Sequence, residues 1–130
     1  MPADDRATRY RFPALAENVG PARREAEAAA RRCGVADVDA VTLAVSEAVT
    51  NAVVHAYRDG ARGDIEVEAA REPRGDFVVT ITDFGSGPAA RTDSPGAGLG
   101  VPLMTAVSKR VSVTPGPEGG TQVRLWFAVG

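Results

Sequence analysis

The chain has 130 residues, of which 44% are hydrophobic and 25% charged, which favours one folded domain over a disordered chain. A net charge of −2 and a pI near 5.4 argue against a basic nucleic-acid surface or a polybasic membrane anchor. Only 5% of the residues are aromatic, so we expect a core built mainly of valine, alanine and leucine.

The single cysteine, Cys33, excludes a disulfide within the chain, as is usual in a reducing compartment. Because it directly precedes Gly34, where a helix is expected to end, we interpret it as a small buried residue and not as a reactive thiol. The N-terminal sequence MPADDRATRYRF lacks the apolar segment of a signal peptide, and no stretch approaches the ~20 apolar residues of a membrane span. The sequence therefore predicts a soluble cytoplasmic protein.

The first predicted elements are one strand and two helices. A short edge strand is expected at residues 10–12, before a proline. A helix at residues 18–32 follows, with Asn18 as its N-cap. Asp37 is expected to cap a second helix that continues to about residue 56. The apolar face of this helix repeats at spacings of three and four, through Val38, Val41, Val45, Ala48 and Ala52.

The second half of the chain predicts four strands and one helix. Residues 64–70 alternate Ile and Val with Glu, and residues 77–82 (FVVTIT) are almost continuously apolar, which indicates a central strand. A third helix is expected at residues 99–109, after a loop rich in glycine and proline. The last two strands are predicted at residues 111–113 and at Thr121–Phe127.

This order of elements predicts an α+β two-layer sandwich. Strands at hairpin spacing favour a mixed, mainly antiparallel sheet, with the three helices on one face. The sequence contains no repeat and no low-complexity tract, so residues 1–130 are expected to form a single domain.

Three glycine-containing stretches could contribute to a ligand site. In ITDFGSGP, Asp83 ends an apolar strand and could accept a hydrogen bond from an exocyclic amine, although a turn with an Asx cap is the alternative. In GAGLGVPLM, glycines lead into a helix whose free N–H groups favour phosphates, with a flexible hinge as the alternative. The spacing matches neither a Rossmann fingerprint nor a P-loop. The third stretch, GGT, predicts by itself only a hairpin turn.

The helical sequence EAVTNAVVHAY carries polar residues at intervals of four: Glu47, Asn51 and His55. Residues four apart are neighbours on a helix, so a carboxylate and an amide could serve one site. The amide oxygen of Asn51 could ligate a hard cation such as Mg²⁺, and Glu47 could accept a proton from an attacking hydroxyl. A partly exposed helix edge is the alternative, and for His55, near the helix end, it is the favoured one.

Four stretches of the chain, in sequence order, resemble the N, G1, G2 and G3 boxes of the GHKL ATP-binding superfamily. They are EAVTNAVVHAY, DFGSG, GAGLG and GGT. Within it, the chain is similar to the bacterial anti-sigma factor serine/threonine kinases, the RsbW-like group. The resemblance covers almost the whole chain and implies a Bergerat-type sandwich that binds ATP with Mg²⁺. It also implies two partners, a STAS-type anti-anti-sigma protein that is phosphorylated and a sigma factor that is sequestered. Relatives commonly form homodimers.

The resemblance assigns a role to each matching residue. Asn51 would ligate Mg²⁺, and Glu47 would be the general base for phosphoryl transfer to a protein hydroxyl. Asp83 would bind the adenine amino group directly, and Thr121 would lie nearby and contact the adenine through a water molecule. The glycine boxes would supply the adenine pocket and the phosphate site, through Gly85, Gly87, Gly98, Leu99, Gly100 and Val101.

One departure from the family pattern keeps an alternative open. Family members often carry a longer ATP lid with basic residues between the first two glycine boxes. In this chain that segment, residues 88–95, is short and contains Arg91 as its sole basic residue. Phosphoryl transfer depends on electrostatic stabilisation of the phosphate. The alternative is therefore an ATP-dependent binding module without kinase activity. A third hypothesis is a detached histidine-kinase catalytic domain. It would need a phosphoacceptor helix, and none precedes the motif in this sequence.

Overall fold

The computed structural model describes residues 7–55, 63–73, 75–85 and 100–130. The described strands are β1 (Thr8–Pro13), β2 (Asp64–Arg71), β3 (Phe77–Asp83), β4 (Arg110–Pro115) and β5 (Thr121–Phe127). The described helices are α1 (Val19–Arg32), α2 (Val38–His55) and α3 (Gly100–Val107), with a 3-10 turn, Ala16–Asn18, before α1. No described helix is both long enough and apolar enough to cross a membrane.

The strands form one five-stranded sheet in the order β1-β2-β3-β5-β4, and all four pairings are antiparallel. The predicted α+β architecture with a mainly antiparallel sheet is confirmed, but the described strands contain no parallel pair, so the described sheet is antiparallel throughout and not mixed. The predicted central position of β3 and the edge position of β1 are also confirmed. Strand β5 has the predicted bounds, whereas β4 is longer at both ends because its pairing with β5 continues from Arg110 to Pro115.

The core lies between α1, α2 and the inner face of the sheet. Alternate strand residues point into it, so that β2 buries Ile65, Val67 and Ala69 and exposes its glutamates more. Alanine and valine dominate the core as predicted, but leucine does not. Leu125 is the one buried leucine among the described residues, and the larger volumes come from phenylalanine and isoleucine: Phe12, Phe77, Phe127, Ile65 and Ile81.

The helix ends agree with the sequence predictions except in two details. Asp37 caps α2, since its Oδ1 accepts the N–H of Ala40 at 3.1 Å. Gly34 follows α1 with a φ of +77°, a conformation that favours glycine. Asn18 does occupy the N-cap position of α1, but its side chain makes no cap bond and donates to the carbonyl of Pro13 at 2.8 Å. The predicted third helix is too long, because the N–H of Lys109 already donates to the carbonyl of Trp126 in the sheet.

Helix α2 is the central helix of the layer, since it packs against α1, α3 and the inner strands β3 and β5. Its buried face contains only alanine and valine, which lets the neighbouring helices and the sheet approach closely: Val41, Ala44, Val45, Ala48, Val49 and Ala52. The buried face matches the predicted apolar repeat, except that Val38 is only partly buried. Cys33 is buried, as expected, and forms no disulfide.

Candidate functional site

A buried carboxylate lies at the end of the central strand β3. Asp83 is only 2% exposed, and its Oδ1 accepts backbone N–H bonds from Gly85 at 3.1 Å and from Thr121 at 3.2 Å. Burial of a charged group is costly unless hydrogen bonds compensate it. The two N–H donors therefore hold the carboxylate in one place, where the chain leaves the sheet.

Thr121 lies beside Asp83 because of the register of the two strands. The last paired residues of β3 and β5 are Thr82 and Gln122, so the next pair along the sheet would be Asp83 and Thr121. Thr121 is 1% exposed, and its hydroxyl Oγ1 has no hydrogen-bond partner in the part of the chain that the structure describes. A buried hydroxyl without a partner costs about 1–3 kcal/mol, so this atom fits a site that a water or a ligand completes.

The approach of β5 to Asp83 requires a glycine at position 120. A Cβ atom on Gly120 would lie 1.8 Å from the carbonyl oxygen of Asp83 and 2.7 Å from the Cα of Phe84. Both atoms belong to the backbone, so neither could move aside as a flexible side chain does. Gly120 was missed as a site residue, since GGT alone predicts a turn. The signal that could have found it is a second glycine directly before a strand that pairs beside Asp83.

The polar residues of α2 share one flank of the helix. Glu47 and Asn51 are both partly buried. Glu47 lies seven residues after Ala40, and Asn51 lies four residues after Glu47, which places all three on the same side of the helix. Ala40 lines a cavity of about 260 Å³ together with residues 106–109, at the end of α3. Helix α2 packs on α3, and Ala40 is the residue of this flank that shares a cavity with the end of α3. His55, the last residue of α2, is also partly buried.

The other predicted site residues are divided between described and undescribed parts of the chain. Gly85 is described, and its N–H binds Asp83. Gly100 and Val101 form the first turn of α3, as expected for a helix that follows the glycine stretch. Gly87, Gly98 and Leu99 lie outside the described residues.

A family model for a histidine kinase-like ATPase domain matches residues 12–127 of the chain. The chain belongs to this family. Members are ATPase domains, and membership implies ATP binding. The hydroxyl of Thr121, which has no partner among the described residues, lies beside the buried carboxylate of Asp83 and fits that ligand class, because both are polar groups that a bound nucleotide or water could satisfy.

Relatives of this histidine kinase-like ATPase domain include anti-sigma F factors and a serine-protein kinase. It is 33% identical to an anti-sigma F factor of Heyndrickxia coagulans, over 62% of this chain and 63% of the relative. It is 32% identical to the anti-sigma F factor of Bacillus subtilis strain 168, over 65% of each chain. It is 42% identical to a serine-protein kinase RsbW of Oceanobacillus iheyensis, but over only 44% of this chain and 37% of that one. In each of these three comparisons, the matched region spans less than two thirds of the relative.

Proposed function

We propose that the protein is an ATP-binding anti-sigma factor that is also a serine/threonine protein kinase. It would phosphorylate a STAS-type anti-anti-sigma protein and sequester a sigma factor. The observation that supports nucleotide binding is the pair formed by Asp83 and Thr121 at one end of adjacent strands. The names of the relatives support the two classes of protein partner. A cytoplasmic location and self-association stay predictions from the sequence.

The arrangement of α2 and α3 supports a phosphate site next to Glu47 and Asn51. Helix α3 packs on α2 and ends beside Ala40, at the start of α2. We infer from these contacts that α3 extends back from that end towards Gly100 along the flank of α2 that carries Glu47 and Asn51. Free N–H groups at the start of α3 would then meet the phosphates of the nucleotide.

Mg²⁺ would be held by the side-chain oxygen of Asn51 and by phosphate oxygens. The described residues contain no group of three or more histidine, cysteine, aspartate or glutamate side chains that could hold a metal. One amide oxygen with phosphates and waters is the kind of ligand set that Mg²⁺ accepts. When bound, the ion neutralises charge that develops on the phosphates.

In the proposed transfer, Glu47 accepts the proton of the attacking serine or threonine hydroxyl. The hydroxyl oxygen forms the new bond to the γ-phosphorus, the bond from that phosphorus to the β–γ bridging oxygen breaks, and ADP leaves. General bases of this kind contribute about 10²–10⁴ in rate. Substitution of Glu47 should therefore affect transfer far more than ATP binding.

The deciding experiment is a phosphotransfer assay with Mg·ATP and the cognate STAS-type protein. Glu47→Gln should lower the transfer rate at least about 100-fold and leave the Kd for ATP within about twofold. Asp39→Asn, which changes an exposed acid in the first turn of the same helix, is the matched control and should behave as the wild type. Absence of any phosphoprotein with the wild-type chain would exclude the kinase activity.

The alternative, a binding module without transfer chemistry, is favoured by the short segment at residues 88–95 with one basic residue. In that case ATP changes the affinity for a partner, and Glu47→Gln leaves this regulation intact. Equal partner affinity with ATP, with ADP and without nucleotide would exclude the alternative.

A further inference from the structure

Arg11 contacts the residue that directly follows the buried carboxylate. It lies on the face of the sheet opposite to buried Phe12, and its guanidinium carbon is 4.6 Å from the centroid of the Phe84 ring. Its Nε donates to Oδ2 of Asp64 at 3.1 Å, and its Nη1 is 3.9 Å from Oε2 of Glu66. Two acids of β2 thus hold the guanidinium group over the aromatic ring.

Phe84 lies between two residues of the candidate site. The carboxylate of Asp83 precedes it, and the N–H of Gly85, which donates to that carboxylate, follows it. On the side of β5, a Cβ on Gly120 would come within 2.7 Å of the Cα of Phe84, so no space remains there. The Phe84 backbone is therefore limited by β5, while its ring is held by Arg11.

We propose that Arg11 is a positioning residue for the adenine site. By holding the Phe84 ring, it fixes the backbone from Asp83 to Gly85 in the orientation that keeps the Gly85 N–H on the carboxylate. The effect on adenine binding rests on the proposed function, whereas the effect on the backbone does not. Arg11 itself does not reach the site, because it lies on the opposite face of the sheet.

The expected effect is modest. The Arg11 side chain is 52% exposed, and cation–π contacts at exposed positions are weak. Loss of this contact corresponds to a two- to fivefold change in a local opening equilibrium or in a Kd, at about 1.4 kcal/mol per factor of ten.

Arg9 provides a matched control on the same strand and face. Its Nη2 is 2.6 Å from Oε2 of Glu68, and its Nε is 3.3 Å from Oε1 of Glu66. The hydrogen bond to Glu68, followed by the charges of Glu68 and Glu66, raises the pKa of Arg9, so it stays charged in any assay buffer. It has no ring contact within the described residues, so Arg9→Ala removes ion pairs to β2 without releasing Phe84.

The test measures amide hydrogen exchange of Gly85 and Thr121 by NMR in the nucleotide-free protein. Arg11→Ala should speed the exchange of Gly85 two- to fivefold, whereas Arg9→Ala should leave it unchanged. Arg11→Lys keeps the charge and should give an intermediate rate. In a Phe84→Leu background, Arg11→Ala should have no further effect on Gly85.

Equal exchange of Gly85 in the Arg11→Ala and Arg9→Ala variants would overturn the proposal. So would a uniform acceleration of all core amides, which would indicate a merely structural role. Calorimetry with ATP then separates the two claims. A two- to fivefold weaker Kd in Arg11→Ala alone supports both, whereas no ATP binding by the wild type removes the proposed function and leaves the exchange result to decide the role of Arg11.

Discussion

The backbone N–H of Thr121 donates a hydrogen bond to Oδ1 of Asp83, although the two residues are 38 positions apart in the sequence. The bond links the first residue of β5 to the last residue of β3, at the same end of the sheet. It brings the orphaned hydroxyl of Thr121 next to a buried carboxylate, which together form the most specific feature of the candidate site.

Asp83→Asn should weaken ATP binding and leave the fold intact. The amide oxygen of Asn can still accept the N–H bonds of Gly85 and Thr121, while the negative charge is lost. A charged hydrogen bond is worth about 1.5–3 kcal/mol, so titration calorimetry should show a tenfold to hundredfold higher Kd. Asp76→Asn, which removes a carboxylate paired with Lys109, is the control. An unchanged Kd in Asp83→Asn would contradict the site assignment.

Thr121→Val should change stability and affinity in opposite directions. The Thr121 hydroxyl is buried and has no partner among the described residues, so its removal should raise the free energy of unfolding of the nucleotide-free protein by about 1 kcal/mol. Loss of one hydrogen bond to the ligand or to a bridging water should weaken ATP binding about two- to tenfold. Chemical denaturation and calorimetry measure the two effects.

Thr82→Val is the control for this substitution. Thr82 is also buried, but its Oγ1 accepts a hydrogen bond from Nε2 of Gln122 at 3.2 Å. Thr82→Val removes this bond, so it should lower the free energy of unfolding and leave the ATP affinity close to that of the wild type. Destabilisation by Thr121→Val of the same size as by Thr82→Val would show that the Thr121 hydroxyl is satisfied in solution.

Gly120→Ala should destabilise the protein by more than about 1–3 kcal/mol, the usual range for a group forced into a packed site. The added Cβ would overlap the carbonyl oxygen of Asp83, so β3 and β5 must separate. Thermal unfolding measures the effect. Gly20→Ala is the control, since a Cβ there would meet only the flexible side chain of Arg24 at 3.3 Å. It lies in a helix and should be neutral or slightly stabilising. Equal melting temperatures for the two variants would show that position 120 does not pack closely against the backbone of Asp83.

Asn51→Ala should abolish the dependence of ATP affinity on Mg²⁺. If the amide oxygen ligates the ion, the wild type should bind ATP about tenfold more tightly with Mg²⁺ than with a chelator, and the variant about equally in both conditions. Thr50→Ala changes the neighbouring exposed residue and should keep the wild-type ratio. A variant with an unaltered Mg²⁺ dependence would place the metal ligand elsewhere.

The sequence predicted the elements that depend on local signals. The alternation in β5, the apolar run of β3 and the cap formed by Asp37 are each contained in a few consecutive residues. The helix end at Gly34 was predicted for the same reason, because its positive φ favours glycine at that place. The order of the strands in the sheet was less accessible, since it depends on pairings between distant segments.

The features that were missed depend on three-dimensional neighbours. Nothing near Asn18 indicates that its amide will bind the carbonyl of Pro13 in place of capping α1. The restriction on Gly120 arises only when β5 pairs with β3. The contact between Arg11 and Phe84 crosses from β1, at the sheet edge, past β2, and no motif contains both residues. The roles of Glu47, Asn51 and Asp83 stay predictions, to be decided by the experiments above.

The position of β5 has a consequence for synthesis of the protein. It is the last of the five described strands to leave the ribosome, yet it is an inner strand that lies between β3 and β4. Until it emerges, β4 lacks its one neighbour among the described strands, and Asp83 lacks its Thr121 donor. Before β5 pairs with β3, the chain therefore lacks the arrangement of Asp83 and Thr121 that we propose for the adenine site. If that site binds ATP, any regulation that depends on ATP would begin only when β5 has entered the sheet.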